Sequence, residues 1–113
     1  MYMIMLVLDD PDKLDEILAA WAQIGVTGAT VIESTGMHRR IHQHIPMRYA
    51  YEDSDLQESG NYSLFVIVAS EALVQSSLEA VEAITGNLDD PNTGVFSAWP
   101  LSVIKGVPGH NNP

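Results

Sequence analysis

The sequence contains no cysteine, which excludes disulfides, thiolate metal sites and a cysteine nucleophile together. Basic residues are scarce as well: 5 lysines and arginines stand against 15 aspartates and glutamates, a formal net charge of −10. An acidic body of this kind repels phosphate backbones, so nucleic acid is disfavoured as a partner. Long hydrophobic runs are also missing. The apolar opening from Met1 to Leu8 is far too short to span a bilayer. It has neither the basic start nor the small-residue cleavage site of a signal peptide. The expectation is a cytoplasmic protein with no membrane insertion. No nucleophile elbow and no P-loop is present. The acid pairs Asp9-Asp10 and Asp89-Asp90 fall at a helix start and in a turn, where carboxylates are ordinary. The expected class is therefore a non-enzyme, and enzyme chemistry rests only on analogy to small ferredoxin-like dimers that oxidise substrates without a cofactor.

What is present is a regular alternation of elements. Tyr2 to Leu8 is an unbroken apolar run that reads as a strand. Asp10 is placed to cap a helix and Pro11 to open it, because the N–H that proline lacks is unpaired in the first turn anyway. Leu14, Ile17, Leu18 and Trp21 then recur at helical spacing. A second strand is predicted over about Ala29 to Ser34. A polar, histidine-rich segment follows from about Thr35 to Asn61, roughly twice the length at which loops without structure become uncommon. Tyr62 to Ala69 reads as the third strand, and Ser70 as the cap of a second helix whose stripe is Leu73, Val74, Leu78, Val81 and Ile84. Thr85-Gly86 ends that helix. The turn-rich NLDDPNTG leads to a last strand around Val95 to Ala98, and a short extension, Leu101 to Ile104, closes the pattern.

The order βαββαβ predicts an α+β, ferredoxin-like split βαβ sandwich with one long interruption between strands two and three. A chain of 113 residues makes one domain, placed at residues 1–109, with a frayed tail at 110–113. Two helices cover one face of a four-stranded sheet, yet the first and third strands are apolar without alternation. Self-association is the economical way to cover the other face.

One stretch carries more than architecture. In IGVTGATVIESTGMHR, Ile24 to Arg39, Gly25 suits a helix C-terminal stop because it takes a left-handed conformation without a Cβ clash. Thr27-Gly28 turns the chain, Ala29 to Glu33 restarts it, and Gly36 opens onto a basic segment. This stretch resembles the signature of the PII signalling family, small trimeric nucleotide sensors of nitrogen and carbon status. The resemblance implies a homotrimer that binds nucleotide in clefts between subunits. Those clefts are lined by the base of a long T-loop (37–61 here), by a B-loop after the second helix, and by a basic C-terminal segment. Thr30, Gly36, Met37 and Arg39 fall at the T-loop base, Thr85-Gly86 at the opening of the B-loop, and Lys105 near the first of two C-terminal arginines. Implied ligands are ADP, AMP, ATP or cyclic AMP, and implied partners are transporters or metabolic enzymes reached through the loop.

The sequence also departs from the family. Where a Gly-Asp-Gly-Lys run should wrap phosphates, the chain has Asp89-Asp90-Pro91-Asn92-Thr93-Gly94. The second arginine is missing. AMP, ADP or a cyclic nucleotide needs less positive charge than ATP, and the sequence favours them on that ground. Arg40 stands where a glutamine helps hold magnesium and 2-oxoglutarate, which disfavours that route of sensing.

The loop invites two further readings. His38, His42 and His44 present imidazoles that suit zinc, copper or nickel, which makes a trimeric metal-binding protein, similar to the divalent-cation tolerance family, the alternative. Against that, no carboxylate or cysteine completes a ligand spacing, and a solvated loop that gains charge below about pH 6.5 accounts for the same histidines. Arg40 and Arg48, with Tyr49 and Tyr51 as anchors, suit a patch that docks on an acidic partner.

Overall fold

The computed structural model describes residues 1–34 and 61–107. Strand β1 spans Tyr2–Leu8, the full extent of the predicted run. The Asp10 carboxylate accepts from the Asp12 N–H at 3.0 Å and Pro11 follows it. The turn they start is 3-10, Pro11–Lys13, and only then does helix α1 run from Leu14–Gln23. A cap that reaches the second residue on tightens the first turn, so the regular helix begins later than the sequence predicts. Gly25, at φ 87°, ends the helical segment.

Strand β2 is Thr30–Ser34 and β3 is Asn61–Val68. Helix α2 covers Glu71–Thr85, with the Ser70 hydroxyl accepting from the Leu73 N–H at 3.2 Å and Gly86 taking the left-handed φ of 87° beyond its end. Strand β4 is Gly94–Pro100. It is longer than its apolar centre because β1 pairs with it along its whole length, from Tyr2↔Pro100 to Leu8↔Gly94.

The four strands form one antiparallel sheet in the order β2-β3-β1-β4. With two helices inserted as the sequence order places them, the arrangement is compatible with a ferredoxin-like sandwich. β1 and β3 pair from Tyr2↔Val68 to Leu8↔Tyr62, while β2 pairs with β3 only from Thr30↔Phe65 to Ser34↔Asn61. Strand alternation then sorts the side chains into two sets. Ile4, Leu6, Leu8, Leu64, Val66 and Val68 are buried in the core with Ile17 and Trp21 of α1 and Val81 of α2. Met3, Met5, Val7, Ser63, Phe65 and Ile67 take the other face, where Ile32, Val95 and Trp99 stand 49%, 57% and 41% exposed.

Ser77 is fully buried within the apolar stripe of α2. Its hydroxyl donates to the Leu73 carbonyl at 2.7 Å, and its own carbonyl accepts from the Trp21 indole N–H at 3.2 Å. A small side chain with its hydrogen bond satisfied inside the helix lets the two helices meet around that indole. No helix among the described residues is long and apolar enough to cross a membrane.

Candidate functional site

The sequence-predicted ligand residues divide between the two ends of the sheet. At one end β2 finishes at Ser34 and β3 begins at Asn61, and these two residues are paired. The segment 35–60 therefore leaves and returns on adjacent strands about 5 Å apart. The Ser34 hydroxyl is 2.6 Å from Asn61 Oδ1 and 3.0 Å from the Ser63 hydroxyl. A hydroxyl has one proton. Ser34 spends it on Asn61, so Ser63 donates to Ser34. Asn61 is only 6% exposed. These three residues tie the strand ends together, and sequence reading passed over them. The available signal was polar side chains at the ends of two apolar runs.

The same sheet end holds the connection from α2 to β4. Thr85 Oγ1 lies 3.2 Å from the Val81 carbonyl and 2.9 Å from that of Gly86, so its proton stays at its own helix end. Beyond it, the Leu88 N–H donates to Glu82 Oε2 at 2.9 Å and the Asp89 N–H to Asn87 Oδ1 at 2.9 Å. The Asp90 N–H donates to the Asn87 carbonyl at 3.0 Å, and Pro91 has no N–H to give. Thr93 Oγ1 sits 3.1 Å from the Leu88 carbonyl and 2.9 Å from that of Asp90. Four consecutive positions thus leave no free donor for a phosphate, and Asp89 and Asp90 are exposed carboxylates beside them. The carboxyl end of a helix dipole repels an anion as well. Glu82, Leu88 and Phe96 line a shallow hollow at this place, but its electrostatics do not suit a polyphosphate.

At the other end of the sheet lie Thr30 and the C-terminal segment. Thr30 is the first residue of β2, four residues from Ser34 and so about 13 Å along the strand from the point where 35–60 begins. After β4 the chain turns back across the start of β1, where the Leu101 N–H donates to the Met1 carbonyl at 3.0 Å. Gly106 and Val107 then line a cavity of about 520 Å³ together with Gly28, Thr30 and Leu73. Lys105, next in the chain to Gly106, is exposed. Leu73 belongs to the first turn of α2 and Thr85 to its last, about 18 Å further along the helix.

One chain therefore gathers Thr30 and Lys105 at one end and Thr85 and Gly86 at the other. Gly36, Met37, His38, Arg39, Arg40, His42, His44, Arg48, Tyr49 and Tyr51 lie outside the described residues, as does the 110–113 tail. Among the described residues, no group of three histidine, aspartate or glutamate side chains is placed to hold a metal ion. Neither the models of known protein families nor the curated proteins give a match to this chain.

Proposed function

We propose that this chain is a PII-like regulatory protein: a cytoplasmic homotrimer that binds a small effector in the clefts between subunits and signals to a protein partner through residues 37–61. The observation that carries the reading is the sheet face opposite the helices. Its thirteen positions, read from the strand registers, hold Met3, Met5, Val7, Phe65, Ile67 and Trp99 among others, and not one ionisable side chain. On a chain of net charge −10, an apolar face free of charge is the surface on which identical acidic bodies meet with least repulsion.

The separation of Thr30 and Lys105 from Thr85 and Gly86 supports the same assembly, because residues from opposite ends of one chain line a common cleft only when neighbours are juxtaposed. The committed N–H groups at 88–90 and the proline at 91 bear on the effector. They favour AMP, ADP or cyclic AMP over ATP. Arg39 at the loop base would bias the loop only to the extent that the ligand prefers one of its states.

The test is mass by sedimentation equilibrium, then thermal shift with each nucleotide, 2-oxoglutarate, bicarbonate, zinc, copper and nickel. The proposal expects the mass of three chains and a nucleotide shift lost in Arg39→Ala. At a hundred times its dissociation constant, a ligand stabilises by about 2.7 kcal/mol. A single-chain mass overturns the assembly. A shift with metals alone, lost in a His42→Ala and His44→Ala variant, transfers the function to the metal-binding alternative.

A further inference from the structure

β4 is an edge strand whose outer side is open. The Leu101 N–H meets the Met1 carbonyl and the Asp9 N–H meets the Thr93 carbonyl. The odd-numbered residues between Thr93 and Leu101 therefore turn their backbone groups to β1. Those of Phe96 and Ala98 point away from the sheet, and among the described residues no strand pairs with them. Pro100, the next residue of that set, lacks an N–H, as suits the end of an edge. Such an unpaired row is a template for another strand, and proteins usually blunt it with charge, a bulge or short length. β2, the other edge, has five residues and carries Glu33, whereas β4 runs for seven, GVFSAWP, with no charge.

Beside that row lies the hollow between α2 and β4, about 700 Å³ in volume. Leu78, Leu88 and Phe96 give it apolar surface, and Glu82 and Asp89 give it carboxylates. One oxygen of Glu82 accepts from the Leu88 N–H, which leaves the other for a ligand. Lys13 and Lys105 are the only basic side chains among the described residues, and neither lines the hollow. The charge that disfavours a phosphate here favours a cation on an apolar stem. Phe96 joins the two features, because it lines the hollow while its backbone faces the open edge. In an antiparallel pairing, the residue opposite Phe96 exchanges both hydrogen bonds with it and puts its side chain on the same face.

We infer that the outer edge of β4 takes an extended segment of a partner protein as a fifth, antiparallel strand. An arginine of that segment lies opposite Phe96 and reaches Glu82 and Asp89, whose carboxylates its planar fork matches. A second copy of this chain is the poorer occupant, because its own other edge, β2, brings Glu33 and no base to an acidic hollow. The inference goes beyond the regulatory reading and does not rest on it, since every residue it uses belongs to one chain.

The probe is the capped peptide Ac-Thr-Arg-Thr-Arg-Thr-NH2, with neutral, strand-favouring residues around the arginines. It is titrated into the full chain and followed by amide proton–nitrogen NMR. Saturable shifts are expected at residues 94–99 and 78–82. Methylating the backbone nitrogens of both arginines keeps the charge, yet should weaken binding about tenfold, because the Phe96 carbonyl loses its donor. Exchanging both arginines for glutamates should abolish binding. Asp89→Lys, at an exposed turn position, should weaken it about tenfold with an unchanged melting temperature. Ala98→Pro removes an outward N–H from the edge and should weaken it similarly. Absence of saturable shifts with the arginine peptide overturns the inference, as does equal binding of its methylated or glutamate form. A fall in the mass of the assembled chain in Ala98→Pro would give the edge to a second copy and overturn it too.

Discussion

The two faces of the sheet are built from the same strands and both carry mostly apolar side chains at the centre, yet one is sealed and the other is not. On the helix side Ile4, Leu6 and Leu8 alternate along β1 and are fully buried under Ile17, Trp21 and Val81. On the opposite side Met3, Met5 and Val7 alternate along the same strand and are half-buried only. At the margins of that side Ile32 and Val95 are about half exposed. An apolar strand residue therefore reports a need for a partner, not the partner's identity. The helix side meets the need within the chain, because α1 and α2 are long enough to roof the sheet. The other side has no roof among the described residues.

The largest effect should come from opening the sealed face. Trp21 is 1% exposed and holds the helices together through its bond to the Ser77 carbonyl. Trp21→Ala should cost about 3–5 kcal/mol, a large part of the stability of a domain of this size. Urea unfolding measures it. A cost below about 1 kcal/mol would mean that the helix layer contributes little and that the contrast between the faces is false.

The next test addresses the open face. Val95→Asp and Ile32→Asp place carboxylates where each chain still has contact with water. Monomer stability should change by about 0.5 kcal/mol or less, but a carboxylate buried without a partner at an interface costs several kcal/mol per ion. Sedimentation should therefore show the mass fall from three chains to one while circular dichroism keeps its shape. An unchanged mass would remove this face from the interface.

The sealed face was largely legible in the sequence, because it is made of local signals. Tyr2 to Leu8, the Ser70 cap and the Thr85-Gly86 stop are each set by a few adjacent residues, and the structure places them as the sequence predicts. The departures are tertiary. Ser77 was a gap in a helical stripe until Leu73 and Trp21 supplied its partners. Asn61 joins β3 because Ser34 holds it there, and β4 lengthens because β1 pairs with it throughout. The cavity was not legible at all. It follows from the register of β2 against β3, and no residue at Val66 to Val68 announces that its neighbour is absent. The site suffers most, because its expected residues come from distant parts of the chain and many fall within 35–60.

A smaller effect is expected at the seam between the faces. Gly94 opens β4 opposite Leu8, and a Cβ there would run into the Val7 carbonyl at a φ of 149° that only glycine takes readily. Gly94→Ala should cost about 1–3 kcal/mol through backbone strain. Gly86→Ala shares a left-handed φ but meets nothing within 4 Å, so its cost should stay near 1 kcal/mol. Equal costs in thermal unfolding would show that the approach of β4 to β1 relaxes easily.

The smallest expected effect on stability is also the one that separates folding from function. Lys105 is exposed on the segment that follows β4. It is not part of the core formed by the described residues, so Lys105→Ala should change unfolding free energy by no more than about 0.5 kcal/mol. If Lys105 reaches an effector's phosphate across a subunit boundary, the same variant should lose a charge-assisted hydrogen bond. AMP or ADP binding would then weaken by about tenfold or more, with little change for adenosine. Isothermal titration with both the nucleoside and its phosphate decides the matter. Equal weakening of both would place Lys105 outside phosphate recognition, and no weakening of either would leave the effector cleft without its C-terminal cation.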